Sequence, residues 1–253
     1  MLTAKKPTTT ELLYGCAQKM GWQPDWVTPR GLFAVTINGQ ERYINFACSP
    51  LNSHTSTSLA KNKYLTRLVL ARHGLHNIPF ARPHTQEAAR AFLDIHQKII
   101  VKPVSGAGAR NIRIVTDAGQ LSNLKVRRYI FEKYIAGQEL RYLVLNGEVV
   151  AVHRSDYGTS VEEKRYLERV SFPEAQWDQT LVASSIRAAQ ALGLAFAAVD
   201  YLITETGETF VLEVNTAPGL KWFHSPTSGP AVDVAQLFLN TYTNTYTRKE
   251  ATL

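Results

Sequence analysis

The sequence predicts an α+β fold built on antiparallel sheet. Two pairs of apolar-rich runs are each joined by Asn-Gly, at Asn38-Gly39 and Asn146-Gly147, the strongest short-range hairpin signal. A third pair, 194–204 and 209–215, is joined by the turn Glu205-Thr-Gly-Glu. Helical segments fall among these hairpins without the regular strand–helix–strand period of a doubly wound parallel sheet.

In chain order, residues 9–20 read as a short helix with a threonine cap. Runs 32–37 and 41–46 flank Asn38-Gly39. The Ser-, Thr-, Asn- and Pro-rich stretch 49–58 reads as a loop and a boundary. Residues 59–73 form a helix with Leu59, Leu65, Leu68, Val69 and Ala71 clustered on one side, ended by Gly74. A second helix covers 85–96. Strands follow at 98–103 and 111–116, on either side of a small-residue loop at 105–109. A strand at 129–134 carries the chain into a different region, and the hairpin 140–145/148–154 comes next. The amphipathic helix 178–192 is closed by Gly193; after the last strand pair, 231–241 forms a terminal helix. This divides the chain into a short N-terminal helix–hairpin segment (1–58), a smaller unit (59–128) and a larger unit (129–253).

Composition narrows the function. The chain has 253 residues, 45% hydrophobic and 19% charged, an ordinary globular balance. No apolar run approaches the ~18 residues of a spanning helix, and the N-terminus has two lysines but no apolar core after them, so neither membrane nor signal peptide is expected. Cys16 and Cys48 match no metal spacing and cannot make a disulfide framework; a reduced, cytoplasmic setting is expected. The net charge of +7 suits an anionic partner. With no run of five like charges, a nucleotide or acidic metabolite fits better than nucleic acid.

Three constellations carry chemistry. Glu213 and Asn215, two apart on a strand, point to one face, while Leu212 and Val214 turn to a core. The turn near Gly207 brings Asp200 opposite Leu212 or Glu213. In the second register three oxygen-bearing side chains share one area, the donor set of a hard cation such as Mg²⁺; the bland alternative is the polar face of an exposed hairpin. Next, Lys102 precedes Ser105-Gly106-Ala107-Gly108-Ala109, where small residues let backbone N–H groups approach phosphate oxygens. This is neither a Walker A loop nor a dinucleotide fingerprint. Finally, the two-residue loop Asn146-Gly147 pairs Leu145 with Glu148. Continued, that register pairs Arg141 with Val152 and Glu139 with Arg154, so Glu139, Arg141 and Arg154 converge. They make either a cross-strand salt bridge or an anion site in which arginine holds a carboxylate or phosphate.

Together these segments resemble the ATP-grasp superfamily over nearly all of 59–230. The carriers are Lys63 to Gly74 with Pro79, Lys102-Pro103 with its loop, Glu132-Lys133-Tyr134-Ile135-Ala-Gly137-Gln-Glu139, and Phe210-Val-Leu-Glu213-Val-Asn215-Thr-Ala-Pro218-Gly219. The block from Pro218 to Gly229 is closest to the ATP-grasp domain of cyanophycin synthetases, with D-alanine–D-alanine ligases and glutathione synthetases further off. The resemblance implies two α+β subdomains clasping ATP between antiparallel sheets. It implies that Lys63 and Lys102 contact ATP phosphates and that Ser105, Gly106, Ala107 and Gly108 cover them. Glu132 would accept from the adenine amino group, Lys133, Tyr134 and Ile135 would present backbone to the ring, and Glu139 would take the ribose. Asp200, Glu213 and Asn215 would bind Mg²⁺, with Mn²⁺ as a substitute. Arg154 would hold the transferred phosphoryl group with Arg141 nearby, and Lys102 would assist; Gly219, Lys221 and His224 would meet substrate beside Arg154. Asn62 stands where the family often has Asp, so either Lys61 or Lys63 is the contact, and Lys221 stands where cyanophycin synthetases often have Arg.

The implied activity joins a carboxylate to an amine through an acyl phosphate, with release of ADP and phosphate. The expected partners are small acids and amines of amino-acid or peptide type; an oligomer is left open. The competing readings are a phosphotransferase on the same scaffold and a non-catalytic ATP-binding partner subunit.

Overall fold

A computed structural model describes residues 7–48, 50–106, 111–157 and 166–250. Helix α1 (Thr9–Lys19) starts at Thr8, whose hydroxyl accepts the Glu11 N–H while the Glu11 carboxylate accepts the Thr8 N–H, a reciprocal capping box. A three-stranded sheet follows: β1 (Asp25–Thr28), β2 (Leu32–Ile37) and β3 (Gln40–Asn45), in the order β1-β2-β3. Asn38 and Gly39 both take positive φ, as a tight two-residue hairpin turn requires.

The next helical region departs from expectation. It consists of two helices, α2 (His54–Lys61) and α3 (Lys63–Arg72), broken at Asn62. Asn62 is extended (φ −92°, ψ 99°), its side chain caps α3 by accepting the Leu65 N–H, and its backbone bridges to Ser105. Helix α2 also takes in part of the stretch expected to be loop. Ser53 caps it, and its polar Ser/Thr residues, poor helix formers alone, hid it from view.

The four-stranded sheet comprises β4 (Phe80–Ala81), β5 (Ile99–Pro103), β6 (Arg113–Val115) and β7 (Tyr129–Lys133), in the order β4-β7-β5-β6, with α4 (Gln86–His96) packed on it. Strand β7 pairs with β5 throughout. The run 129–134 therefore completes this sheet rather than opening the larger unit, and the boundary expected at 128/129 falls inside it.

The five-stranded sheet is built from β8 (Gln138–Leu145), β9 (Glu148–Tyr157), β10 (Tyr166–Phe172), β11 (Phe196–Ile203) and β12 (Thr209–Asn215), in the order β10-β9-β8-β11-β12. Strands β1, β4 and β10 were not foreseen; the first two are very short. Helix α5 (Gln179–Ala191), capped by Asp178, packs on one face with α2 and α3. The other face packs, at the end carrying Leu143, Leu145, Ala151, Phe196 and Ala198, against α1, β2, β3, α6 (Lys221–His224) and α7 (Val234–Glu250). The N-terminal segment thus shares a core with the large sheet. Every pairing between named strands is antiparallel, and the α+β class stands.

Candidate functional site

The centre of the site is one row of residues across the five-stranded sheet. Ser171 pairs with His153, His153 with Arg141, Arg141 with Asp200 and Asp200 with Glu213, so all five side chains share a face. A bulge between Asp200 and Tyr201 accommodates Leu212 as the extra residue and sets Asp200 opposite Glu213. Asn215 lies two residues further on that face. Its Oδ1 accepts the Ala217 N–H at 3.0 Å, which turns the chain after β12.

Arg141 holds Asp200 through two bonds, Nε to Oδ1 at 2.5 Å and Nη2 to Oδ2 at 2.7 Å. Burial pushes the Asp200 carboxyl up to about 7; Arg141 opposes the rise, and Glu213 and Glu139 add to it. Two carboxylates and an amide oxygen on one face are the oxygen donors that Mg²⁺ takes alongside phosphate. The donor set therefore fits the ion, with further carboxylate lone pairs beyond those that face Arg141.

The third expected cluster does not form. A bulge between Leu143 and Val144 shifts the β8–β9 hairpin by one residue, so Arg154 pairs with Leu140 and Glu139 with Ser155. A one-residue slip sends a side chain to the other face. Arg154 accordingly leaves the sheet on the α5 side, with its guanidinium 5.9 Å from the Phe172 ring, away from Arg141 and Asp200. Glu139 stays on the face of Arg141. The arginine that joins this face instead is Arg169 of β10, bonded to Ser155 Oγ and 3.2 Å from His153 Nε2. Burial holds the His153 ring well below its ordinary pKa, with Arg141 and Arg169 adding to the effect, so it is neutral.

A second cluster comes from the four-stranded sheet and α3. The bend at Asn62 puts the Lys63 N–H on the Val104 carbonyl at 2.8 Å, and Lys63 Nζ donates to the Gly106 carbonyl at 2.8 Å. Lys61 is exposed, so Lys63 is the lysine brought to the loop. Ser105 and Gly106 flank it; Ala107 and Gly108 lie outside the described residues. Burial pushes the Lys63 ammonium down and Lys102 adds to this, while Glu213 and Glu132 pull it back up, so both clusters act on one lysine.

Glu132 sits differently from its expected place at adenine. It is 1% exposed, with Oε2 2.7 Å from Lys102 Nζ and Oε1 accepting from Arg67 Nε at 3.0 Å. Burial disfavours its charge, but Arg67 and Lys102 outweigh this and hold the carboxyl below its ordinary value. Of the neighbouring expected contacts, Lys133 is exposed, Ile135 is half-buried, and Tyr134 gives its N–H to the Lys98 carbonyl at 3.0 Å. Arg67 was not foreseen. Its signal was its position one helical turn beyond Lys63, on the same side of α3.

After β12, Gly219 and Lys221 follow the turn directly, with Lys221 Nζ 4.7 Å from the Trp222 ring. His224 does not face the site. Its Nε2 accepts the Ala235 N–H at 2.9 Å and so caps the first turn of α7, a structural role in place of the expected substrate contact. Thr9 Oγ1 accepts the Leu220 N–H at 3.1 Å, tying the N-terminal helix to this turn. Among the described residues no helix is long and apolar enough to cross a membrane.

The chain is 28% identical over 184 residues to a D-alanine–D-alanine ligase of Trichlorobacter lovleyi, covering 65% of this chain and 58% of that one. It is 28% identical over 232 residues to a probable alpha-L-glutamate ligase of Citrobacter koseri, covering 83% and 74%. The chain thus spans 58% of the length of the first of these curated relatives. Among solved structures, a bifunctional glutathione synthetase from Pasteurella multocida superposes with a TM-score of 0.68 at 16% identity, over 94% of this chain and 44% of that one. A D-alanine–D-alanine ligase from Bacillus anthracis complexed with ATP gives 0.60 at 19% identity, over 79% and 71%; at such identities the likeness is one of fold. The profile of the ATP-grasp domain matches residues 60–219. Because that match runs through both sheets of the site and over more than half of the sequence, the chain belongs to the ATP-grasp domain family.

Proposed function

We propose that this chain is an ATP-dependent ligase that joins a carboxylate to an amine through an acyl phosphate, releasing ADP and phosphate. The observation that carries this reading is the Asp200–Glu213 pair beside Arg141, set near the Lys63–Lys102 cluster of the other sheet. The names of the relatives, ligases of amino acids or peptides, support it. The block from Pro218 to Gly229 supports the finer placement beside cyanophycin synthetases.

A free carboxylate is a poor electrophile, and transfer of a phosphoryl group to its oxygen creates a leaving group. The amine then attacks the acyl carbon and phosphate departs. Such transfer needs positioning and neutralisation of charge rather than a covalent nucleophile on the protein. In this reading the two subdomains clasp ATP between their sheets. Lys63 and Lys102 bind phosphate oxygens, and the loop from Ser105 covers them. Glu139 faces the ribose, and the backbone of Lys133 to Ile135 borders the base. Asp200, Glu213 and Asn215 would hold Mg²⁺, or Mn²⁺, which when bound neutralises charge on the phosphate oxygens. Arg141 is the cation of the row nearest to those carboxylates. Gly219 and Lys221 border the substrate end.

The test is ADP release measured with amino acids and short peptides offered in pairs, with mass spectrometry of the products. Release that requires both an acid and an amine supports the ligase. Release with the acid alone and a stable phosphorylated product would make it a phosphotransferase. Nucleotide binding without turnover across the screen would favour the partner-subunit reading.

A further inference from the structure

Arg67 is 2% exposed, and four hydrogen bonds and a close approach to Glu132 tie its guanidinium to the protein. Nε donates to Glu132 Oε1 at 3.0 Å, Nη1 to Asn77 Oδ1 at 3.2 Å and to the Val211 carbonyl, and Nη2 to the Leu212 carbonyl at 2.6 Å; Nη2 also lies 3.0 Å from Glu132 Oε1. Buried and bonded in this way, the guanidinium faces protein rather than a nucleotide. What the five contacts join is informative. Glu132 belongs to β7 and holds Lys102 of β5 with its other oxygen at 2.7 Å. Val211 and Leu212 belong to β12 and directly precede Glu213. Asn77 returns a bond from Nδ2 to the Arg67 carbonyl at 3.0 Å, and the Val211 N–H binds the His76 carbonyl at 2.9 Å, so the segment after α3 is fastened to β12 as well.

One buried guanidinium therefore bonds to both sheets at the points that carry Lys102 and Glu213. Building on the ligase reading, we infer that Arg67 is a positioning residue that holds the phosphate-facing Lys102 in register with the metal-facing Glu213. It touches neither ligand and acts through Glu132 and the β12 backbone. A lysine cannot stand in for it. A single ammonium on a flexible stem lacks the planar fork that reaches Glu132 and two carbonyls together. With Lys the two sheets each keep their ligand contacts but lose their fixed spacing. A salt bridge serving only stability would instead lower the melting temperature and leave the two ligands coupled.

The experiment is titration of the whole chain with ATP, with and without MgCl₂, on wild type, Arg67→Lys and Asn77→Ala, alongside thermal melts. In the wild type Mg²⁺ should tighten ATP binding by about tenfold, because both ligands draw on one fixed geometry. In Arg67→Lys the tightening should fall below about twofold. ATP binding without Mg²⁺ should meanwhile stay within about threefold of the wild type. Asn77→Ala, which removes one support of the guanidinium and keeps the charge, should fall between. Arg67→Lys that folds and keeps the wild-type tightening overturns the inference while leaving the ligase reading intact. If Arg67→Lys fails to melt cooperatively, unchanged tightening in Asn77→Ala overturns it. A wild type that does not bind ATP at all overturns the ligase reading and this inference with it.

Discussion

Glu132→Gln should destabilise the protein strongly, and in a pH-dependent way. Glu132 is 1% exposed and accepts from Lys102 Nζ at 2.7 Å and Arg67 Nε at 3.0 Å. The substitution keeps the shape of the side chain but leaves two buried cations without their anion. Removing one partner of a buried pair costs about 3–5 kcal/mol. Arg67 retains Asn77 Oδ1 and the carbonyls of Val211 and Leu212, and glutamine retains one acceptor oxygen. The loss should therefore sit near the lower end, about 3 kcal/mol. For a chain of this size that lowers the melting temperature by about 6–12 °C. The pH dependence follows from a carboxyl held below its ordinary 4.5. Its stabilisation is fully present above the unfolded value and is lost as pH falls through the lower folded value. Urea unfolding of wild type and variant should show a constant gap from pH 8 to about pH 5 that narrows below about pH 4.5. A gap under about 1 kcal/mol at pH 7, or one unchanged down to about pH 3, would refute the ion-triad account.

Lys102→Ala should weaken ATP binding at least about tenfold in a nucleotide titration, because the proposed function gives this ammonium to the ATP phosphates; equal binding would remove its assignment. Glu213→Gln should abolish ADP release with the true substrates while melting near the wild type, since it is nearly isosteric and Val214 still packs in the core. A variant that is simply unfolded would make Glu213 a structural partner instead. Raising the pH through about 7 should strengthen Mg²⁺-dependent nucleotide binding, because burial raises Asp200 to about 7 and the ion needs the ionised carboxylate; a flat profile between pH 6 and pH 8 would count against Asp200 as a ligand. Gly229→Ala should cost at least about 3 kcal/mol in denaturant unfolding, since φ is +84° and the added Cβ would meet the Ser171 carbonyl oxygen at 1.9 Å.

What the sequence determined by itself was local. Asn38-Gly39 and Asn146-Gly147 each specify a tight hairpin, because few other residue pairs tolerate two consecutive positive φ angles. The alternation Glu213-Val214-Asn215 assigns one face to chemistry and the other to a core, because strand periodicity is two. Thr8 with Glu11 and Asp178 announce helix starts through their own side-chain bonds. Tertiary structure decided everything that depends on register and on distant partners. The bulge after Leu143 moved Arg154 off the face where a simple hairpin register puts it, and the bulge after Asp200 chose Glu213 over Leu212 as its neighbour. Neither bulge has a glycine or other mark in the chain, since it arises from how each strand packs against its next neighbour. Asn62 interrupts a helix that periodicity reads as continuous, because it is bridged to Ser105, far along the chain, with the Lys63 N–H taken by the Val104 carbonyl. Arg67 and Glu132 are 65 residues apart, and Arg67 and Val211 are 144 apart. A buried charge can persist only where the fold delivers its partners, so no local pattern could have paired them.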